Sequence, residues 1–188
     1  MGHTALVHVG AGGVGLLLIQ IAKMRGAKVI ATVSTDEKAT LAQQAGAAAV
    51  CIYSRENFAD AVKGFRGGRG VDVAYDSVGK ETFDGTLQSL KPRGMFVSFG
   101  NSSGPVAPFA PLVLSQKGSL FFTRPSMFHN TLTTVEMRGR ANDLFSWVRS
   151  SSLQVRIGAT FPLTKAADAL RALEGRVTTA KVLLLPKG

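Results

Sequence analysis

The sequence predicts an α/β fold: a doubly wound parallel sheet of six strands with helices on both faces, plus a C-terminal strand-helix-strand tail. Three observations predict it. Short β-branched and apolar runs alternate with helix-length stretches, and the loops between them are short. The turn Gly10-Ala11-Gly12-Gly13-Val14-Gly15 lies between the first strand and the first helix. The rhythm changes at residues 104–111, a loop holding three prolines.

In order, residues 4–9 read as a strand and residues 16–24, free of breakers, as a helix that Gly26 stops. Residues 28–33 form the second strand. Ser34 or Thr35 caps the next helix, whose first turn carries Asp36 and Glu37 and which Gly46 ends. Residues 49–53 are the third strand, 57–65 a short helix and 71–75 the fourth strand, closed by Asp76-Ser77-Val78-Gly79. Residues 81–90 form a helix with Phe83, Leu87 and Leu90 at helical spacing. Pro92-Arg93-Gly94 turns into the fifth strand, residues 95–99. Residues 112–114 make a helical turn, and residues 119–123 form a sixth strand stopped by Pro125. Residues 130–149 are mostly helical, with Leu144, Trp147 and Val148 on one face. The tail is a strand near 155–161, a helix at 165–173 and a strand at 181–185. The expected division is a nucleotide-binding domain at 1–154 and a C-terminal segment at 155–188.

Composition narrows the function. Of 188 residues, 45% are hydrophobic, enough for a core, while no apolar stretch reaches membrane-span length. No secretory pattern is visible. Cys51 is the only cysteine, so no disulfide within the chain and no thiolate zinc site can form, and a reduced, cytoplasmic setting is expected. The net charge is +10, but no basic run exceeds two residues. Arg66-Gly67-Gly68-Arg69-Gly70 resembles an RGG element, yet it sits between a helix and a strand and reads as a surface loop. Neither nucleic acid nor membrane is therefore expected as a partner, and a phosphorylated cofactor is the better outlet for the charge.

The glycine turn carries the chemistry. Gly10 allows a tight turn, Gly12 lets a pyrophosphate approach the backbone, and Gly15 lets the helix pack close to the sheet, as in a Rossmann fold. The first helical amides lack intrahelical acceptors and favour an anion. A site for NAD usually carries an acidic residue at the end of the second strand. Here that strand ends in Val33-Ser34-Thr35, and Asp36 reads as a first-turn helix carboxylate. Ser34 with Lys38 suits a 2′-phosphate, although on spacing alone Lys38 is equally a solvated helix residue. His3, His8 and His129 are lone histidines, and His8, within the first strand, reads as structural. No catalytic residue and no metal ligand is expected, because a bound dinucleotide cofactor would carry the chemistry and the protein position it.

Residues 7–15, Thr32-Val33-Ser34 with Glu37-Lys38, Tyr75-Asp76-Ser77-Val78-Gly79 and residues 97–105 stand in a distinctive order, which Gln116-Lys117 and Thr123-Arg124-Pro125 extend. In these stretches the chain resembles the NADPH:quinone oxidoreductases, the zinc-free, zeta-crystallin-like branch of the medium-chain dehydrogenases. The resemblance implies that Gly13 and Val14 lie against the pyrophosphate. It implies that Ser34, Lys38, Tyr53 and Arg176 surround the adenosine 2′-phosphate and that Val78 contacts the ribose or adenine. It also implies that Phe99, Gly100, Asn101 and Ser102 line the nicotinamide end, with Pro125, Ser126 and Met127 close by. The implied activity is hydride transfer from NADPH to a quinone, which accepts charge into a conjugated ring and needs little electrophilic help. Enoyl-thioester or alkenal reduction, and a nucleotide-binding module without activity of its own, remain alternatives. The resemblance further implies a homodimer joined through the edge strand 119–123. Members of that family begin with a GroES-like catalytic domain. The expectation is therefore a cofactor-binding portion without that domain, weakly active or inactive alone, whose residues from about 155 return to it in the family.

Overall fold

The computed structural model describes residues 2–175 and 178–186. The main sheet contains β1 (Thr4–Val7), β2 (Lys28–Val33), β3 (Ala49–Ile52), β4 (Val71–Asp76), β5 (Leu90–Ser98) and β6 (Phe121–Thr123). Their spatial order is β3-β2-β1-β4-β5-β6, and every pairing is parallel. The order reverses between β1 and β4, the switch point at which open α/β sheets bind ligands. Because all six strands run one way, the segments that follow them gather at one edge.

The connections are α1 (Gly15–Met24), α2 (Asp36–Gln44), α3 (Phe58–Phe65), α4 (Phe83–Ser89) and α5 (Leu112–Gln116). Strand alternation divides the core between the two faces. Val7, Val29, Ala31 and Val33 pack with Leu16 and Ile19 of α1 and Leu41 and Ala42 of α2. Leu6, Ile30, Ala74 and Phe96 pack with Val62 of α3 and with Phe83 and Leu87 of α4. All four residues of β1 are buried, which is why the first strand reads as an unbroken run rather than an alternating one. Local caps start the helices: of the two candidates Ser34 and Thr35 it is Thr35 that caps α2, and Asn57, expected inside the helix, caps α3. The Thr35 side chain accepts from the Lys38 amide, and Asn57 accepts from the amides of Ala59 and Asp60.

Several boundaries differ from expectation. β1 stops at Val7, because His8 and Val9 already enter the turn. β5 begins at Leu90, which pairs with Val71 before a register shift, so Pro92-Arg93-Gly94 is an irregularity within the strand. Arg93 supplies the left-handed residue there, with φ 60°. That early start takes Leu90 from the expected helix, although Leu90 still joins the same core as Phe83 and Leu87. β6 is only three residues long, since Ser119 turns with φ 55°. A capping box of Thr133 and Glu136 starts α6 (Thr134–Arg149), and none of its residues is buried. Its expected apolar face is therefore not core: Leu144 and Val148 are exposed, and Trp147 lies under the Arg25 guanidinium, 5.7 Å from the ring centre.

The tail consists of β7 (Ile157–Pro162), α7 (Ala166–Glu174) and β8 (Lys181–Leu185), with β7 and β8 paired in a separate parallel ribbon. Hydrogen bonds anchor it and the residues just ahead of it to the main body. The Gln20 amide donates to the Gln154 carbonyl and accepts from the Gln154 N–H. The Ala180 N–H donates to the Ala11 carbonyl at 3.0 Å, and Ala180 bridges to Gly12. The tail thus rests directly on the glycine turn.

Candidate functional site

The glycine turn leaves the carboxyl end of β1, and its geometry reassigns the roles of its residues. The left-handed position is Val9, with φ 55°, a costly conformation for a β-branched residue. Gly10 is needed for contact instead: a Cβ there would lie 2.7 Å from Cβ of Ala31. A Cβ on Gly15 would come within 2.2 Å of the Val9 carbonyl, so the helix start packs on the turn itself rather than on the sheet. The Gly12 amide is not open to a ligand, because it donates to the Val9 carbonyl at 2.9 Å. Gly13 makes room for the tail, since its Cβ would fall 2.8 Å from the Ala180 carbonyl oxygen. Val14 is the N-cap residue of α1 and is exposed.

Beside this turn lies a cavity of ≈ 770 Å³, of a size suited to a small-molecule ligand. Its wall includes Gly12, Gly13, Ser34, Lys38, Tyr53, Val78 and Ser102 among the residues singled out from sequence. At one end, Lys38 on the first turns of α2 reaches back so that Nζ donates to Ser34 Oγ at 3.2 Å. Tyr53 follows β3 and is half exposed. Asp36 is turned to a bidentate pair with Arg55, which holds its carboxyl below the usual range; it does not line the cavity.

At the other end, the loop after β4 is drawn tight by Asp76. Its buried carboxylate accepts from the Val78 amide at 2.6 Å, the Gly79 amide at 3.3 Å and Thr82 Oγ at 2.7 Å. The loop after β5 lies against it, with the amides of Ser102 and Ser103 donating to the carbonyls of Ser77 and Val78. Gly100 permits this contact, as a Cβ there would sit 2.5 Å from the Ser77 carbonyl oxygen. Arg124 after β6 donates to the Gly100 carbonyl at 3.0 Å and ties those two strand ends together.

Not every expected residue meets in the cavity. Gly10, Val14 and Gly15 belong to the turn but not to the wall. Phe99, Gly100 and Asn101 follow β5, and Pro125, Ser126 and Met127 follow β6; both groups share the carboxyl edge without lining the cavity. Arg176 lies outside the described residues. Conversely, His8, Thr32, Glu56, Asn57, Phe58, Glu81 and Thr82 line it, as do Leu173, Thr178 and Ala180 of the tail. Asn57 caps α3 where that helix opens towards the edge. The tail residues carry no such signal.

His8 is buried, with Nδ1 3.0 Å from Thr32 Oγ and Nε2 3.0 Å from Thr86 Oγ. Burial lowers its pKa to about 4 against the opposing pull of Asp76. Cys51 is also buried, and burial, then the nearby Glu56, pushes its thiol up to about 12. Among the described residues, no group of three or more His, Cys, Asp or Glu side chains is placed to hold a metal ion. The arrangement offers a cleft with a lysine at one end and a helix N-terminus beside it, which is a chemistry for an extended anionic ligand.

Known proteins share this architecture. The chain is 44% identical over 185 residues to a quinone oxidoreductase of Pseudomonas aeruginosa, covering 98% of this chain and 57% of that protein. It is 40% identical over 187 residues to a 2-haloacrylate reductase of Burkholderia sp, covering 99% and 56%. The solved structure of Escherichia coli quinone oxidoreductase complexed with NADPH superposes with a TM-score of 0.94 at 43% identity, covering 98% of this chain and 57% of that one. The chain spans little more than half the length of these relatives. Residues 13–146 match the family model described as zinc-binding dehydrogenase. They contain the start of the first helix, the Ser34–Lys38 end of the cleft and the loops after β4, β5 and β6, and on that match the chain belongs to the zinc-binding dehydrogenase family.

Proposed function

We propose that the chain binds NADPH along the carboxyl edge of its sheet and is the nucleotide-binding portion of an enzyme that transfers hydride from NADPH to a quinone. The observation that carries this reading is the meeting of Ser34, Lys38 and Tyr53 at the end of a cleft that begins at the glycine turn. A hydroxyl and an ammonium group suit the extra phosphate of NADPH, and Asp36, the carboxylate closest in sequence to the end of β2, is held by Arg55. Arg176 is assigned to the same phosphate. The amides of the first turn of α1 would face the pyrophosphate. Val78 would border the ribose. Phe99, Gly100, Asn101 and Ser102, with Pro125, Ser126 and Met127, would flank the nicotinamide.

When bound, NADPH supplies the hydride from its nicotinamide ring. The chain's own part is to hold and orient. Asp76 fixes the loop bearing Val78, and Arg124 fixes the end of β5 against the end of β6. The similarity to a 2-haloacrylate reductase supports a second reading, in which the acceptor is another conjugated carbonyl compound.

The same proposal includes a homodimer built on β6. This strand lies last in the sheet order, pairs with β5, and exposes Phe121. A reduced, cytoplasmic setting suits a chain whose only cysteine is a buried free thiol. Calorimetric titration of the purified chain with NADPH and with NADH tests the cofactor assignment. NADPH should bind more tightly, and equal affinities or no binding would overturn it.

A further inference from the structure

Beneath the cleft runs a buried chain of hydrogen bonds whose direction can be worked out. Thr86 Oγ lies 2.7 Å from the Thr82 carbonyl oxygen, which can only accept. The single Thr86 hydroxyl proton is therefore committed there, the usual bond of a helical threonine to the turn before it. Towards His8 Nε2, 3.0 Å away, Thr86 can only accept. Nε2 must then carry the ring proton, and burial keeps the ring neutral at ordinary pH. Nδ1 is bare, so the Thr32 hydroxyl donates to it across 3.0 Å. The edge of Phe58 closes on the ring, with centroids 4.8 Å apart at 84°.

Each end of this chain is fastened to a different wall of the cleft. The Thr32 carbonyl accepts from the Gly10 amide at 2.9 Å, so Thr32 holds the glycine turn through its backbone and His8 through its side chain. Two residues further on is Ser34, the partner of Lys38. At the other end, Thr82 donates to Asp76 at 2.7 Å, and Asp76 grips the amides of Val78 and Gly79. The His8 amide also donates to the Tyr75 carbonyl, fixing β1 against β4 where the strand order reverses. His8 thus joins the end of β2 to the middle of α4 beneath the cavity.

Building on the cofactor assignment above, we propose that His8 is a positioning residue for the dinucleotide: as the Nε2–H tautomer it sets the spacing between the Ser34–Lys38 end of the cleft and the Val78 loop. It touches the ligand through neither nitrogen, since both are spent on threonines. Its effect is exerted through Thr32 on one side and through Thr86, Thr82 and Asp76 on the other. Supporting groups of this kind hold the residues that meet a ligand in their working geometry.

Thr86 is the place to test this, because it is fully buried and does not line the cavity, so its loss reaches a ligand only through His8 or the helix. The experiment is NADPH titration of the wild-type chain and of Thr86→Val and Thr86→Ser, with ¹⁵N NMR of the histidine ring in each. The wild-type ring should show a protonated Nε2 and a bare Nδ1. Thr86→Val removes the acceptor, should move the proton to Nδ1, and should weaken NADPH by about threefold to tenfold, the worth of one neutral hydrogen bond. Thr86→Ser should restore both affinity and tautomer, which a purely space-filling role for the threonine would not do. A wild-type ring protonated at Nδ1 overturns the proposal, as does a shifted tautomer with unaltered affinity. If Thr86→Val does not fold, Thr32→Val and Thr32→Ser probe the opposite end, and equal NADPH affinity in both overturns the proposal. Absence of NADPH binding by the wild-type chain overturns the cofactor assignment, and the positioning role falls with it, whereas a failure of His8 alone leaves wild-type binding intact.

Discussion

Gly13 and the Ala180 carbonyl are in contact: a Cβ added to Gly13 would lie 2.8 Å from that oxygen and 2.9 Å from Cδ of Lys181. The glycine turn is therefore a seat for the C-terminal tail as well as a border of the cleft. Gly13→Ala should push the tail away and lower stability by about 1–3 kcal/mol, the usual cost of overpacking. Hydrogen exchange should quicken across residues 178–185 and stay unchanged in β3. Unchanged protection of that segment would show that it does not rest on the turn.

Lys38 should discriminate between cofactors. Lys38→Ala removes the ammonium group at the Ser34 end of the cleft. NADPH binding should weaken by about 1.5–3 kcal/mol, the value of a hydrogen bond to a charged group, which is roughly tenfold to a hundredfold. NADH binding should change far less. Equal losses in a titration would remove Lys38 from the phosphate site.

His8 makes stability fall in mild acid. Burial lowers its pKa from 6.5 to about 4, so between those values the unfolded chain binds a proton that the folded chain does not. Its contribution is whole above pH 6.5 and is lost as pH drops towards 4. A thermal midpoint followed from pH 7.5 to pH 4.5 should decline with this profile. His8→Gln, if it folds, should flatten the slope.

Asp72 acts at lower pH and at the opposite edge of the sheet. Burial alone would raise its carboxyl, but the Lys91 ammonium, the Thr4 amide at 2.7 Å and His3 overcome this and hold it at about 2. The folded carboxyl therefore takes up its proton later than the unfolded one at 3.8, and its contribution, complete above that value, fades as pH falls towards 2. Asp72→Asn should cost about 1.5–3 kcal/mol near neutrality in denaturant unfolding. The variant should also lose the steep decline below pH 4.

Phe121 should control self-association. Its side chain is exposed on the three-residue strand at the edge of the sheet. A charge on such an edge discourages pairing, so Phe121→Glu should yield monomer in light scattering at concentrations where the parent chain is dimeric. A parent chain that stays monomeric at high concentration would sink the edge-strand dimer.

Much of this architecture was legible because its signals are local. The buried strands are apolar runs, Thr35 caps the helix after β2, and Lys38 in the first turn of that helix reaches back to Ser34 just ahead of the cap. The unread features depend on distance along the chain. His8 meets Thr32 and Thr86, 24 and 78 residues away, and no spacing rule predicts either. The tail docks through the backbone of Ala180, which leaves no mark on side-chain pattern. At the turn, steric preference points to Gly10 as the left-handed residue, but close approach to Ala31 claims that glycine, and Val9 takes the strained conformation.

The seclusion of Cys51 has a practical consequence. Its side chain is buried on β3 with its proton held to about pH 12, so thiol reagents should pass over the folded chain. A probe attached after Met127→Cys, at a site where the side chain is 72% exposed, would report from one known place without first removing the native sulfur.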